Sequence, residues 1–480
     1  MLYYKLSKVS NLKTAIAVLL CVLSHNLLLS QDTEPSPWSR FGLGLNVPTL
    51  STPQLLMGGV SAPMMEGGVI NPEQPASAAG CTSTIFQSSV HGSRNTMNEG
   101  DSSTTSLTGS IGAMNIVVKR PGGKTSIMMG MLPYSANGYN LSRSSEDELL
   151  GHITERYRGS GGTAKSYLGL AHAFRSKKWI DAGEADSVLV LKNSVYLGAQ
   201  VNYLFGEVIQ QSRLDIEDIT FLDNRTSTSM RHRSLGGVFG LQAFQLLYAN
   251  YDADKNFKNS ASLFIGGTYA TSSTLYTDYE KIVESVQLLS SVETPVDTAF
   301  YLNTLDAEGK IPSKWTAGAG ISFEGSKGRR ILIVADMMQE DWASVANDFD
   351  IDLIDGNAEW AKASRKSLGL SIKPASSGSN SSIFSRSTYR AGFAIDEYPI
   401  KYLDNQLTGW RASAGLSIPL EGSRSNSNLH FGVEYGHRSL SDENGIVLDN
   451  TLEESIFNIQ VGVSLAPFFK NLWLTPKLYD

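Results

Sequence analysis

The chain has 480 residues and a formal net charge of −7, and only 18% of its residues are charged. This balance argues against nucleic acid as a partner, because nucleic-acid-binding domains are strongly basic. After the N-terminus, no apolar run approaches the roughly 18 residues that a membrane helix requires, which argues against a helical membrane protein. A transmembrane barrel is compatible with the hydrophobic fraction of 41%, since only one face of each strand must be apolar.

Residues 1–30 have the pattern of a signal peptide. Three lysines precede an apolar stretch at 15–23, and this order is typical of export signals. Cleavage after Ser30 would leave Cys81 as the remaining cysteine. The sequence therefore predicts an exported chain with a buried thiol and no disulfide framework.

Residues 31–81 contain seven prolines but no long alternating run. Sheets confine proline to edges and turns, so this segment is not predicted to form barrel wall. Its apolar residues, which include Phe41 and Leu43, indicate that it packs against other parts of the chain. Inside a barrel it would form a plug or hatch, and residues 82–480 would form the transmembrane barrel itself.

From residue 82 onward, apolar and polar residues alternate in run after run. In the last run, 457–465, every odd position is apolar and every even position is polar or glycine, as in a strand with one apolar face. A soluble sandwich would alternate too, but aromatic residues often end these apolar stripes, as they do at a membrane interface. Bacterial barrels have an even number of strands, and we count fourteen runs: 82–91, 105–119, 124–135, 166–174, 194–207, 234–248, 259–272, 314–324, 329–342, 364–374, 386–396, 408–420, 428–438 and 455–466.

The connections between these runs tend to alternate in length. Short turns such as 120–123 and 325–328 follow even-numbered strands, and only 175–193 is long for its place. Since outer-membrane barrels have long outer loops and short periplasmic turns, we predict that both termini are periplasmic, in the outer membrane of a Gram-negative bacterium. The predicted outer loops are 136–165, 208–233, 273–313, 343–363 and 439–454.

Five ionisable residues occupy polar positions of their predicted strands and should line the lumen: Asp336, Arg390, Arg411, His430 and Glu434. An unpaired desolvated charge is costly, so such residues are expected to pair with a plug or with each other. Glycines recur at equivalent positions, where they admit another backbone or leave open space: Gly198, Gly206, Gly318, Gly320, Gly415 and Gly432.

Two near-matches to ligand-binding motifs occur. Residues 159–166 resemble a phosphate-binding loop, but Ala164 replaces its second glycine and a strand follows where a helix is required. In a predicted outer loop, Leu353 replaces the glycine of a calcium loop whose other positions match: Asp348, Asp350, Asp352 and Glu359. We favour a solvated acidic loop over a calcium site. Since no catalytic signature is recognisable, we predict neither an enzyme nor a cofactor.

Several motifs resemble those of the FadL-like outer-membrane barrels. Residues 36–44 are similar to the mature N-terminus of that family, and 71–77 resemble its Asn-Pro-Ala-Ser plug motif with the two halves drawn apart. Residues 203–206, 389–393 and 435–438 also resemble it. The resemblance implies a 14-stranded barrel with an N-terminal hatch. The candidate hatch or ligand residues are Phe41, Leu43, Asn71, Pro72, Pro75 and Ser77.

Two functional hypotheses follow. In transporters of this family, hydrophobic ligands enter from outside, bind in the lumen near the hatch and leave laterally through the wall, which implies passive uptake of fatty-acid-like molecules. The partners would then be a hydrophobic small molecule or lipid and the outer-membrane lipid. The alternative is a non-transporting accessory barrel that binds another outer-membrane protein, as part of a secretion machine or of the barrel assembly machinery. A porin is a third hypothesis, and the predicted plug argues against it.

The face assignment of the last strand can be tested directly. Val461→Lys places a charge on the predicted lipid face, where it costs about 2–4 kcal/mol near the bilayer midplane, so it should block membrane assembly. Gln460→Lys places the same charge on the lumen face and should be tolerated. Heat-modifiable migration of the membrane fraction on gels measures assembly, and the reverse order of the two variants would show that the assignment is wrong.

Overall fold

The structure, a computed structural model, describes the following residues: 36–47, 49–119, 123–181, 187–218, 220–252, 256–289, 292–345, 358–374, 382–420, 427–442, 447–448 and 451–466. This part of the chain is almost entirely β-structure. Its helices are single short turns: Pro37–Arg40, Thr52–Leu55, Pro75–Gly80, Ser326–Gly328, Trp342–Ser344 and Ile383–Arg386. Among the described residues, no helix is long and apolar enough to cross a membrane.

Fourteen strands form the barrel wall: β2 (Ile85–Glu99), β3 (Ser102–Lys119), β4 (Thr125–Ala136), β6 (Gly151–Asp181), β7 (Ser187–Ile216), β8 (Asp223–Tyr251), β9 (Phe257–Ala270), β12 (Lys314–Gly325), β13 (Arg330–Asp341), β15 (Lys362–Lys373), β16 (Thr388–Tyr402), β17 (Asn405–Pro419), β18 (Asn428–Ser441) and β19 (Glu453–Leu465). Five further strands extend or line the wall: β1 (Leu45–Asn46), β5 (Tyr139–Asp147), β10 (Ser273–Leu289), β11 (Val292–Ile311) and β14 (Ala358–Trp360).

The wall is closed by pairing between its first and last strands. β19 lies antiparallel to β2, with Val461 opposite Val90 and Leu465 opposite Phe86. Every other neighbouring pair in the wall is antiparallel as well. This pairing removes the free edges of the first and last strands, as a sheet in lipid requires. The predicted transmembrane barrel of 14 antiparallel strands is confirmed, and each of the fourteen predicted runs lies in one wall strand.

Alternation along the strands separates a lipid face from a lumen face. On β19, Ile459 is 51% exposed whereas its neighbour Gln460 is 2% exposed. Aromatic residues such as Tyr269 and Trp315 face outward and lie opposite each other on β9 and β12. These rings form part of the aromatic girdle that outer-membrane barrels carry at the membrane interface.

Most of the predicted loops are strands, which corrects the sequence-based boundaries. Residues 136–165 contain β5 and the start of β6, 208–233 contain the ends of β7 and β8, and 273–313 contain β10 and β11. Their buried faces mix apolar and polar side chains, as with Leu275, Thr277 and Tyr279 on β10, so their sequences lack the clear alternation that marks the wall. The long connection 175–193 is also mostly strand, since β6 ends at Asp181 and β7 starts at Ser187.

Residues 36–47 and 49–81, hereafter the N-terminal segment, pack against the inward face of the wall. Glycines in the wall allow this close approach. A Cβ on Gly392 would collide with the backbone of Met57 and Gly58, and a Cβ on Gly266 would collide with the carbonyl of Ala62. The segment is therefore seated where the wall has no side chains.

The six glycines singled out from the sequence divide into two groups. Three of them face the N-terminal segment: Gly198, Gly415 and Gly432. The other three are crowded by neighbouring atoms of the wall itself: Gly206, Gly318 and Gly320. Glycine in these strands thus serves close packing.

Gly392→Ala tests whether this seat holds the N-terminal segment. The added methyl group would displace the Met57–Gly58 backbone, and overpacking of this kind costs about 1–3 kcal/mol. We expect a lower thermal midpoint and faster proteolysis of the N-terminal segment. Gly267→Ala is the matched control, because its Cβ would lie 3.6 Å from the nearest atom, the carbonyl oxygen of Thr316. Equal effects of the two variants would contradict the proposed seat.

Candidate functional site

A buried carboxylate, Glu73, ties the N-terminal segment to two separate wall strands. Its Oε1 lies 2.6 Å from Nζ of Lys165 on β6, and its Oε2 lies 2.6 Å from Nζ of Lys314 on β12. Thr49 donates a further hydrogen bond to it. Burial alone would raise the pKa of Glu73, but the two ammonium groups outweigh burial and hold the pKa well below its ordinary value. Glu73 is therefore ionised and bridges the two strands.

A second carboxylate, Glu66, starts a polar chain that crosses four wall strands. Arg390 on β16 donates to Glu66 at 2.6 Å and also donates to Ser417 on β17. Ser417 lies 2.6 Å from Nδ1 of His430 on β18, and Nε2 of His430 lies 2.8 Å from Ser464 on β19. Burial opposes ionisation of Glu66, but the Arg390 guanidinium lowers its pKa overall.

Asp336 on β13 holds the N-terminal segment through backbone groups. Its Oδ2 accepts hydrogen bonds from the amides of Ser61 at 2.7 Å and Ala62 at 3.0 Å. Two amides that converge on one carboxylate form a small anion-binding nest. The contact fixes the segment at the wall position where Gly266 also receives Ala62.

The remaining residues predicted to line the lumen pair within the wall. Arg411 contacts Asp396 at 2.8 Å and Glu434 at 3.4 Å, and Glu434 also accepts from Asn458 at 3.0 Å. Asp396 is shared with Arg365 at 2.8 Å. The structure thus joins Arg411 to Glu434, and it joins Arg390 to His430 through Ser417. Asp336 makes its contacts separately from both groups.

Three of the candidate hatch residues make specific contacts that fix the N-terminal segment. The side-chain amide of Asn71 donates to the carbonyls of Ser61 at 2.8 Å and Met64 at 3.2 Å. Ser77 donates to the carbonyl of Gln74 at 2.7 Å. Phe41 is buried in an apolar cluster at one end of the lumen. These residues hold the segment in shape.

The other candidate hatch residues lie where the segment touches the wall. Pro75 lies against Gly198 and Gly240, and Pro72 lines a small polar cavity beside Glu73. The carbonyl of Leu43 accepts a hydrogen bond from Ser135 on β4 at 2.7 Å. None of these contacts involves a ligand, so their role in binding stays a prediction.

The calcium and phosphate motifs have different outcomes. Asp348, Asp350 and Asp352 lie outside the described residues, whereas Glu359 belongs to β14 and lies opposite Lys401. Within the described residues, no group of three or more His, Cys, Asp or Glu side chains is placed to hold a metal ion. Residues 159–166 lie within β6, where the sequence predicted an outer loop up to residue 165, and the strand continues after them. Cys81 is a buried free thiol, and burial raises its pKa to about 12.

The wall has an incomplete seam between β3 and β4. These strands pair from Lys119 opposite Ser126 to Met114 opposite Met131, and there the pairing ends. β3 continues to pair with β2 on its other side, but through a bulge at 112–113 that shifts the register. Pro133 follows on β4 and has no amide to offer to a ladder. β3 therefore bends away from β4 over the rest of its length.

Strand β1 of the N-terminal segment occupies part of the edge that β3 leaves. Leu45 lies opposite Ala136 and Asn46 lies opposite Ser135, and the amide of Val47 donates to the carbonyl of Tyr134 at 3.0 Å. Only a short stretch of β4 is covered in this way. The rest of the seam borders a cavity.

This seam cavity has a volume of about 610 Å³ and reaches both faces of the wall. Its lining includes inward-facing polar side chains and outward-facing apolar ones. The inward-facing group includes His91, Glu434 and Gln460, and the outward-facing group includes Ile111, Met114 and Met131. The N-terminal segment contributes Val47 and Leu55. The cavity thus connects the lumen side of the N-terminal segment with the lipid-facing side of the barrel.

The sequence did not identify the residues that hold the N-terminal segment most firmly. Glu66, Glu73 and Gln74 were not singled out, although the amide of Gln74 donates to three carbonyls, those of Ala62, Leu241 and Gly267. The sequence did contain a signal for the wall residues that pair with Glu73. Lys165 and Lys314 are lysines in or next to predicted membrane strands, where a charge requires a partner.

The Glu73 bridge predicts a pH dependence with a definite sign. The pKa of Glu73 is lower in the folded state than in the unfolded chain, where it is near 4.5. Its contribution to stability is therefore complete above that pH and is lost as the pH falls toward the folded-state pKa. Glu73→Gln removes the carboxylate partner of the buried Lys165 and of the partly exposed Lys314, and it should cost up to about 3–5 kcal/mol at neutral pH.

The quantity measured is the release of the N-terminal segment. Its rate is determined from the proteolysis of membrane-embedded protein at pH values between about 3 and 7. In the variant, the N-terminal segment should be released faster at neutral pH. The further increase in the release rate below pH 4.5 should be smaller than in the unmodified protein. Glu324→Gln is the control, since Glu324 makes only a long, exposed contact with Arg330. An unchanged pH profile in Glu73→Gln would contradict the assignment.

The comparisons with known proteins agree with this architecture. A model of the BamG family matches residues 12–477, whereas no curated protein matches the chain. The toluene transporter TodX of P. putida is similar in structure at 12% sequence identity, with a TM-score of 0.50, covering 88% of this chain and 99% of that chain.

Two other solved structures are similar at the same level. The toluene transporter TbuX of Ralstonia pickettii shares 13% identity over 88% of this chain and 99% of its own, with a TM-score of 0.46. A FadL homologue of Pseudomonas aeruginosa shares 12% identity over 89% of this chain and 100% of its own, with a TM-score of 0.46. At such identities the likeness concerns the fold, which is that of a FadL-like outer-membrane barrel. Because the family model spans nearly the whole sequence, the chain belongs to the BamG family.

Proposed function

We propose that the protein is a passive channel through which hydrophobic small molecules cross the outer membrane. The N-terminal segment acts as the hatch, and the seam between β3 and β4 is the lateral exit. The observation that supports this proposal best is the seam cavity, because it joins the inward face of the wall to its lipid-facing side. The similarity to TodX, a toluene transporter, agrees with a small apolar cargo.

The size and lining of the seam cavity suit weak, reversible binding. A single aromatic ring buries about 150 Å², which is worth roughly 4 kcal/mol at 25 cal/mol per Å². The loss of translational and rotational freedom on binding offsets much of that gain. A small apolar molecule would therefore pass through without being trapped. Fatty-acid-like molecules are the class that the family resemblance implies, and in this proposal their chain lies beside Ile111 and Met131 with the polar end toward His91.

The direction of the chain in the membrane is part of the proposal. The long ribbons β5–β6, β7–β8 and β10–β11 extend from one end of the barrel, and most connections at the other end are short. Long connections face outward in outer-membrane barrels. The first wall strand begins and the last one ends at the opposite end, so both termini would be periplasmic.

A second candidate function is that of a non-transporting accessory barrel. The observation in its favour is the strength of the hatch anchors, since Glu66 and Glu73 are both buried and paired with wall cations. The cavities beside the anchors are small, about 60–90 Å³. A barrel with this function would bind a secretion or assembly machine and would leave its lumen permanently closed.

The two functions can be separated by blocking the seam cavity. Ser93 and Thr108 lie opposite each other on β2 and β3 and both line the cavity. The double variant Ser93→Trp/Thr108→Trp should fill it and reduce uptake at least tenfold. Uptake is measured in cells, with a fluorescent long-chain fatty acid and with radiolabelled toluene as probes.

Thr105→Trp is the matched control, because Thr105 lies on β3 outside the cavity lining and is exposed. It should leave uptake unchanged. If neither probe depends on the protein, or if both variants behave alike, the channel proposal fails and the accessory function is favoured.

A further inference from the structure

The hairpin formed by the ends of β6 and β7 projects beyond the barrel wall. β4 begins opposite His172, and the pairing of β7 with β8 begins at Asn193. Beyond these points β6 and β7 pair with each other alone, with Trp179 opposite Leu189. We call residues 174–181 and 187–192 the projecting ribbon. It is the connection that was too long for a periplasmic turn in the sequence.

The composition of the projecting ribbon is unusual for an uncovered hairpin. Val188, Leu189, Val190 and Leu191 are consecutive, and because side chains alternate along a strand, they place apolar groups on both faces. Trp179 is 60% exposed and Leu189 is 44% exposed. A two-stranded hairpin alone is marginally stable in water, and a run of four apolar residues that is partly exposed marks a functional surface or a liability.

In the stem of the projecting ribbon, which is the part next to the wall, the exposed charges are positive. Lys177, Lys178 and Lys192 are exposed there, whereas the acidic residues of the hairpin stand in the sequence at or beside its turn: Asp181, Glu184 and Asp186. The stem therefore offers an apolar surface bordered by positive charge. A complementary surface would be apolar and acidic.

The reach of the ribbon favours a protein over the membrane as its partner. Trp179 lies six residues beyond Ala173, which is about 20 Å along a strand and about 15 Å along the barrel axis at the usual tilt. The headgroup layer is only about 5–8 Å thick on each side of the hydrocarbon core. Trp179 and Leu189 therefore lie farther beyond the start of the β4–β6 pairing than one headgroup layer is thick.

We infer that the projecting ribbon is a docking surface for a protein that presents an acidic, apolar strand or groove. Among the described residues, no other strand pairs with either edge of the ribbon beyond the wall, so a partner strand can extend it as a third strand. On the proposed orientation of the chain, this partner is periplasmic. The inference takes only the orientation of the chain from the proposed function. It holds whether or not the barrel transports a ligand.

The test uses the full chain in its native envelope, with a photoreactive amino acid at position 189. We expect adducts with a defined protein, and the crosslinked peptide should be acidic and apolar. Lys177→Glu/Lys178→Glu/Lys192→Glu should reduce the adduct yield at least tenfold. Lys258→Glu is the control, since Lys258 is exposed on β9 beside the neighbouring β8–β9 turn, and it should leave the yield unchanged. The inference would be overturned if no adducts formed, or if the adduct yield were the same with and without the three charge-reversing substitutions.

The membrane alternative is tested on Leu189→Cys carrying an environment-sensitive dye. In vesicles of phosphatidylethanolamine and phosphatidylglycerol, brominated lipid should not quench the dye, and strong quenching would show that the ribbon lies in lipid and would overturn the inference. A membrane-impermeant maleimide added to intact cells should not label Leu189→Cys. Labelling would overturn the orientation, whereas the crosslinking result would still decide the docking surface.

Discussion

The structure depends on one constraint, which is that every polar group within the membrane must have a partner in the protein. Fourteen paired strands meet this constraint for the backbone, apart from the stretch where β3 leaves β4. For side chains, Glu66 and Glu73 meet it by neutralising inward-facing cations from separate wall strands. The N-terminal segment is therefore part of the electrostatic structure of the wall. Without it, Lys165, Lys314 and Arg390 would face a lumen that lacks their present partners.

The seam shows how the same constraint allows an opening. A bulge at 112–113 and the missing amide of Pro133 end the β3–β4 ladder, and β1 supplies partners for part of the edge that is left. Gly44 allows the N-terminal segment to approach β4 closely, because a Cβ there would collide with the carbonyl of Ala136. Its φ of +93° is also one that residues with a side chain disfavour. The wall is thus completed by a piece of the segment that it encloses.

Sequence reasoning was strongest where the membrane imposes alternation. The run at 457–465 predicted β19 and its faces, because a period of two is forced on any strand with lipid on one side. It was weakest for β10 and β11, which were predicted as loop, since the buried face of β10 mixes Thr277 with Leu275 and Tyr279 and gives no clear apolar stripe. Glu73 was missed for another reason. Its partners Lys165 and Lys314 are 92 and 241 residues away in the chain, and no local pattern records such a separation.

The energies of these contacts indicate which part of the N-terminal segment is easiest to move. β1 is held to β4 by a few neutral backbone hydrogen bonds, each worth about 0.5–1.5 kcal/mol net. Breaking the buried Glu73 bridge would cost about 3–5 kcal/mol because two lysines would lose their partner. A hatch that moved as a whole would have to break that bridge and the Glu66–Arg390 pair together. Release of β1 alone would widen the seam and leave the charged anchors in place. A lateral exit beside β1 is therefore compatible with a firmly anchored hatch, and the strength of the anchors does not by itself exclude transport.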